Sequence, residues 1–281
     1  MEQWTTEIRP KTRLLDVDFG EIWRYRDLCF LFVKRNVITQ YKQTILGPLW
    51  YLVQPLLTTA MYMIVFGGIA KISTDGLPQP LFYLSGICLW QYFADCLGKT
   101  SNTFVDNAGI FGKVYFPRLV VPLANVLSNL VRFSIQLGLF FVVYLGYVLF
   151  TDIPVRPNWY GLLLPVLVVL LAGLALGFGI LFSSMTTKYR DLQMLLSFFV
   201  SLWMYATPVI YPLSTITNAK IRLLMQFNPV TGIVEFFKYG MLGVGCHEWW
   251  MLAYSAAFMV LLLAFGIIVF NKVQRSFMDT V

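Results

Sequence analysis

Apolar residues in this chain gather into long blocks separated by short polar stretches. A helix needs about 20 mostly apolar residues to cross roughly 30 Å of hydrocarbon. Six blocks meet that length: residues 46–70, 81–102, 119–150, 161–183, 192–211 and 249–270. The third is too long for one upright span and must tilt or run on into water. The pattern predicts an all-α integral membrane protein with six transmembrane helices. Residues 21–42 do not span. There Ile22, Leu28, Phe32 and Val33 alternate with Arg24, Arg26, Lys34 and Arg35 at roughly helical spacing. This reads as an N-terminal amphipathic interfacial helix, with a plain soluble helix as the alternative. Residues 103–118 form a short loop. Residues 212–248 are too apolar for a free loop, with Ile233, Val234, Phe236, Phe237, Met241 and Leu242, and Asn228-Pro229 marks a turn inside them. Two short re-entrant helices are expected, covered by protein or by a wet cavity. The organisation is then an N-terminal segment 1–45, a six-span domain 46–270 and a C-terminal tail 271–281.

Composition agrees with a lipid environment. Of 281 residues, 58% are hydrophobic and 12% charged, against roughly 25% charged in a soluble domain. The net charge of +7 comes from basic residues near segment ends. A nucleic-acid binder would present them on one face of a soluble domain, so no nucleic-acid partner is expected. With the N-terminus inside, fifteen lysines and arginines fall on the cytoplasmic side and five on the outer side. That bias puts both termini in the cytoplasm. The first 46 residues are polar and basic, and no signal peptide is expected. Cys29, Cys88, Cys96 and Cys246 form no CxxC pair, and His247 is the single histidine. Neither a disulfide framework nor a metal site is expected.

Polar residues inside the spans carry the candidate chemistry, because their burial in hydrocarbon is costly. Asn125, Ser128, Asn129, Arg132 and Gln136 form one stripe along the third span. Gln91, Asp95 and Lys99 recur at four-residue steps in the second, with Asn102 beyond. Asp95 has two possible partners, Lys99 on its own helix and Arg132 on the neighbour. These charges either hold spans two and three together or serve transport. The first span carries Tyr51, Gln54, Thr58, Tyr62 and Phe66, and the fifth Ser197, Ser201 and Tyr205. Rings mixed with hydroxyls and amides suit a sugar-polymer conduit, since rings stack on sugar faces and polar groups bond to hydroxyls. Helix packing and an interfacial aromatic belt explain the same residues. Gly173 and Gly177, repeated by Ala175 and Gly179, predict close helix approach, within one chain or between two.

No catalytic machinery is visible. Gly98-Lys99-Thr100 resembles the end of a P-loop, but Phe93 stands where its first glycine belongs. GxSxG and HExxH are absent. The expectation is a transport subunit that binds no cofactor and draws its energy from elsewhere.

The stretch Tyr41-Lys42-Gln43-Thr44-Ile45-Leu46-Gly47-Pro48-Leu49-Trp50, with Gln54-Pro55 after it, resembles the start of the membrane subunits of polysaccharide-exporting ABC transporters. That group exports O-antigen, capsule and teichoic-acid chains. Phe116-Pro117-Arg118, Tyr189-Arg190-Asp191, Thr207-Pro208-Val209-Ile210-Tyr211-Pro212 and Asn228-Pro229-Val230-Thr231-Gly232 follow in the family's order. Gln40 is a departure, where the family often carries arginine. The resemblance implies a homodimer in the cytoplasmic (inner) membrane of a bacterium. It implies two separate nucleotide-binding subunits carrying ATP and magnesium, and a polysaccharide on a lipid pyrophosphate of the undecaprenyl type. Asn107, Ala108, Gly109, Ile110 and Phe111 would lie in the helix that meets the ATPase. Arg24, Arg35, Tyr41 and Lys42 would meet the anionic headgroup, with bulk attraction to anionic lipid as the competing explanation. Residues 218–243 would form an outer gate. The rivals are an exporter of drugs or small lipids with the same architecture, and a membrane enzyme acting on lipid-linked sugars. The enzyme would have only Asp75, Asp152, Glu235 and Glu248 in its outer loops.

Overall fold

A computed structural model of the chain describes residues 19–42, 44–151, 157–187, 189 and 191–277. The predicted terminal segments therefore lie partly outside the described residues, as do Gln43, Asp152, Arg156, Lys188, Arg190 and the side chain of Tyr41. All regular structure among the described residues is helical. Helix α1 (Phe19–Arg24) breaks at Tyr25 before α2 (Arg26–Tyr41). A single 3-10 turn with Gly47 at φ 51° and Pro48 behind it starts α3 (Trp50–Tyr62). Its last turns widen over Met63–Ile69, where the Ala70 N–H reaches back five residues to the Val65 carbonyl. Next come α4 (Gln79–Ser101), the short α5 (Thr103–Asp106) and α6 (Ala108–Phe111), and α7 (Val120–Phe150). The chain closes with α8 (Leu164–Thr186), α9 (Leu192–Tyr205), α10 (Ala219–Gln226), α11 (Pro229–Leu242) and α12 (Trp249–Phe277).

Helix α4 is the centre of the bundle. Leu81 through Trp90 are buried without a break, and α3, α7, α8, α9 and α11 all pack on this helix. Aromatic side chains fill the joints, with Tyr92 against Phe133 of α7 at 4.9 Å and Phe93 edge-on to Trp203 of α9 at 5.2 Å. The glycines of α8 let two neighbours come close. Gly173 and Gly177 face Met259 and Leu262 of α12, while Gly179 faces Thr100 of α4. The small-residue motif is thus consumed inside one chain.

Among the described residues, four helical stretches are long and apolar enough to cross a membrane: Gly47–Ile69, Val120–Phe150, Trp159–Thr186 and Trp249–Val273. These coincide with the first, third, fourth and sixth predicted spans. The second and fifth differ. Helix α4 has 23 residues but carries Gln91, Asp95 and Lys99. Its surroundings are protein, so it needs less apolar surface of its own. Helix α9 has only 14 residues, about 21 Å of rise. It stops at Tyr205 because Pro208 biases Thr207 away from helical geometry, and Val209 N–H turns back to the Thr207 carbonyl at 2.7 Å.

The segment 212–248 forms two helices joined at Asn228-Pro229. Asn218 and Asn228 cap them, their side-chain oxygens accepting from the Lys220 and Val230 amides. Gly243 at φ 76° ends α11. Helix α10 is mostly exposed. Helix α11 is buried along nearly its whole length, among α4, α8 and α12. At the other end of the bundle, α2 turns Leu28, Phe32 and Val33 into a cluster with Phe111, Phe116, Val120 and Phe270. Its basic residues are exposed, but so are Phe30, Leu31 and Ile38, so apolar and basic positions are mixed on the outward side.

Candidate functional site

The stripe on α7 faces α4, and the contact is ionic at its middle. Arg132 Nη1 lies 2.6 Å from Asp95 Oδ2, which decides between the two partners open to Asp95. Gln91 Nε2 donates to the other carboxylate oxygen at 3.0 Å. Arg132 Nη2 donates to Gln54 Oε1 of α3 at 2.8 Å, and the guanidinium lies 5.1 Å above the Tyr51 ring. Tyr51 OH donates to Gln40 Oε1 of α2 at 2.6 Å. One step toward α2, Lys99 Nζ donates to Asn129 Oδ1 at 2.9 Å, and Asn125 Nδ2 donates to the Lys99 carbonyl at 3.2 Å. Asn36 Nδ2 of α2 donates to Asn125 Oδ1 at 3.0 Å. Four helices are thereby joined by one chain of polar contacts. Charges removed from water are tolerated only when paired or bonded in this way.

The network opens into a cavity of about 520 Å³ at the α2 end. Arg35, Asn36, Thr39 and Gln40 line it from α2, Lys99 from α4, Asn125 from α7, and Asp106 and Asn107 from the segment after α4. Arg35 Nη2 reaches Asn107 Oδ1 at 3.4 Å. Asp106 is exposed, and partial desolvation by its neighbours pushes its carboxyl above its ordinary pKa.

The predicted channel residues are not one open face. Tyr51, with Pro55 and Thr59, is on the packed side of α3. Gln54 is turned to Arg132. Thr58, Tyr62 and Phe66 lie half-buried at the edge, and Tyr62 is edge-on to both Phe66 and Tyr83. Tyr62 OH reaches Met204 Sδ of α9 at 3.5 Å, which sets α3 beside α9. Ser197, Ser201 and Tyr205 are exposed on α9. Their helix is held through Leu196 and Trp203, and its other residues are largely uncovered. In the segment after α5, Asn107 and Phe111 are buried, Ala108 and Ile110 half-buried and Gly109 exposed. Asn107 Nδ2 donates to the Thr103 carbonyl, and Phe111 packs on Phe104 and Phe116. Of the residues assigned to the headgroup, Arg35 lines the cavity, while Arg24 and Lys42 are exposed elsewhere on α1 and at the end of α2.

The family description "ABC-2 type transporter" matches residues 27–242. The chain belongs to the ABC-2 transporter family. The matched stretch runs from the second residue of α2 to the end of α11 and takes in the whole polar network. The chain is 30% identical over 220 residues to the O-antigen export system permease protein RfbA of Myxococcus xanthus, covering 78% of this chain and 81% of that protein. It is 26% identical over 260 residues to the protein of the same name from Klebsiella pneumoniae, covering 90% and 94%. To the polysialic acid transport protein KpsM of Escherichia coli it is 20% identical over 251 residues, covering 88% and 93%. With its family and its long apolar helices, it is a multi-pass membrane protein.

In this ABC-2 chain Asn36 and Thr39 were not among the sequence-predicted site residues, and Gln40 stood only as a departure from the family pattern. Their signal was present: three uncharged polar residues at steps of three and one on α2. Asp106 was also missed, being a single acid in a short loop.

Proposed function

We propose that this chain is the channel-forming permease of an ABC exporter that moves a lipid-linked polysaccharide across the cytoplasmic membrane. The observation that carries the reading is its similarity, over four-fifths of both chains, to a permease named for O-antigen export. Two copies form the conduit, and two separate ATPase subunits bind ATP and magnesium and meet the turn from Asn107 to Phe111. In this reading α4 and α9 act as the second and fifth of six spans, with α9 shortened and followed by the turns of 206–211. Both termini are cytoplasmic, as the lysine and arginine bias supports. Helices α10 and α11 form a re-entrant gate on the outer side. Tyr51, Gln54, Thr58, Tyr62 and Phe66 with Ser197, Ser201 and Tyr205 are the channel candidates. The exposed apolar surfaces of α3 and α9, including Leu57, Met61, Phe198 and Leu202, support a partner copy beside them, because such a patch is normally covered.

The test is genetic and biochemical. Deleting the gene should stop the surface polysaccharide and leave its lipid-linked form inside the cell, and the intact gene should restore export. Purified chain should hydrolyse ATP only together with its partner ATPase. Normal surface polysaccharide in the deletion strain would defeat the reading.

A further inference from the structure

The end of α3 away from α2 has a backbone unlike the rest of the helix. Met63–Ile69 forms π-helical turns, seven residues long. Such turns are rare, occur mostly as single bulges and gather at functional sites. The Ala70 N–H donates to the Val65 carbonyl five residues back at 2.9 Å, and the Ile72 N–H to the Phe66 carbonyl six back at 2.8 Å. The chain leaves these turns through an unfavourable conformation. Lys71 at φ 51° and Asp75 at φ 52° both occupy the left-handed region, where a Cβ is crowded.

The segments on either side are anchored, and the widened turns are not. Before them, Tyr51, Pro55 and Thr59 are buried on the packed side of α3, and Tyr62 reaches Met204 of α9. After them, Thr74 and Leu77 are buried, and Thr74 Oγ1 donates to the Leu77 carbonyl at 2.7 Å. Ser214 Oγ lies 2.8 and 2.7 Å from the two carboxylate oxygens of Asp75. None of Met63–Ile69 is buried, so these residues can turn without emptying a place in the core. An α-helical path is equally acceptable in lipid, because it too bonds the backbone internally. An α-helix closes each bond one residue sooner than a π-helix, so rewinding releases about one residue.

We infer that Met63–Ile69 is a rewinding joint. It passes between the wide form and an α-helical form as the transporter works. The released residue is taken up by 70–73, the stretch between the joint and the anchored Thr74, which lets Lys71 leave the left-handed region. One residue of slip turns the side chains beyond it by about 100° and moves them by about 1.5 Å along the axis. Phe66, edge-on to Tyr62 at 5.3 Å, and the exposed Ile69 then change face. That they border a sugar passage, whose outer mouth the joint would reshape, rests on the export reading. The rewinding itself does not.

Engineered histidine pairs distinguish the two forms. Residues five apart lie about 140° apart around an α-helix but come close in a π-helix, which bonds at that spacing. Residues four apart share a face of an α-helix and stay close in the wide form. The reporting pair is Ile64→His with Ile69→His, the control pair is Val65→His with Ile69→His, and Ile69→His alone is the baseline. All three positions are exposed, and His247 is the single natural histidine. Ni²⁺ is titrated into the full chain in nanodiscs, alone and assembled with its partner ATPase. In the chain alone both pairs should bind at least tenfold more tightly than the baseline. Trapping the ATPase with ATP and vanadate should cost the reporting pair at least tenfold and the control pair less than twofold. A reporting pair no better than the baseline in the chain alone removes the wide form, and the inference with it. A reporting pair unmoved by trapping overturns the rewinding.

If a second copy shields the control pair in the assembly, a variant lacking Gly68 decides. One residue short, it holds the joint in the α-helical form. Its melting temperature should stay close to that of the unaltered chain and its ATPase rate within twofold, while export falls at least tenfold. Gly68→Ala keeps the length, and its methyl group meets nothing nearer than the Met63 carbonyl at 3.7 Å, so it should export normally. Normal export by the shortened chain, equal loss in both variants, or collapse of the shortened chain's melting temperature overturns the joint. Absence of export by the unaltered transporter defeats the export reading instead, and the Ni²⁺ titration still decides the joint.

Discussion

Arg132 is the residue on which most of the polar interior turns. It pairs with Asp95, donates to Gln54 and covers the Tyr51 ring. Removing one partner of a buried ion pair leaves the other charge stranded, at a cost of about 3–5 kcal/mol. Arg132→Met should therefore lower thermal stability in detergent sharply. Adding Asp95→Asn should recover a large part of that loss, and a double-mutant cycle reads the coupling.

At the scale of elements, the glycines of α8 make different demands. A methyl group at Gly173 would meet the flexible end of Met259, which can move aside. One at Gly179 would meet Thr100 at its branched Cβ, next to the backbone of the central helix and without freedom to turn away. Gly179→Ala should cost about 1–3 kcal/mol, as overpacking does, and Gly173→Ala less than about 1 kcal/mol. Unfolding midpoints of the two variants check the order. At the other end, Lys238 of α11 is buried, donates to the Pro208 carbonyl at 2.6 Å and lies 3.6 Å from the Phe82 ring centre. That contact ties the proposed gate helix to the turn after α9.

At the scale of the whole molecule, one chain leaves α3 and α9 side by side with much of their surface uncovered. If two copies enclose a wet passage there, single cysteines at Thr58, Ser197 and Ser201 should react with a water-soluble maleimide in the assembled transporter. Cysteines at Leu171 or Leu174, buried in the core, should not. Protection of all three test positions by lipid would argue against a passage on this side.

Hydropathy alone determined that the chain is helical and membrane-embedded, and it located four of the long helices to within a few residues. Span length is a local property, set by rise per residue against bilayer thickness. The motifs in Tyr41–Trp50 and after it, likewise read along the chain, pointed to the family. Periodicity also put Asn125, Asn129 and Arg132 on one face of α7. It was silent on which helix that face meets. Whether Asp95 pairs with Lys99 or Arg132, whether Gly177 serves α12 or a second chain, and that Tyr51 turns inward to Gln40 were decided only by tertiary packing. So was the joining of Arg35, Lys99 and Asn107 around one cavity. These residues lie up to 72 positions apart, and a contact at that separation exists only after the helices have docked. The same docking explains α4: a helix packed among five others, its Asp95 paired with Arg132 and its Lys99 bonded to Asn129, can carry charges that its own sequence, read as a lone span, makes look misplaced.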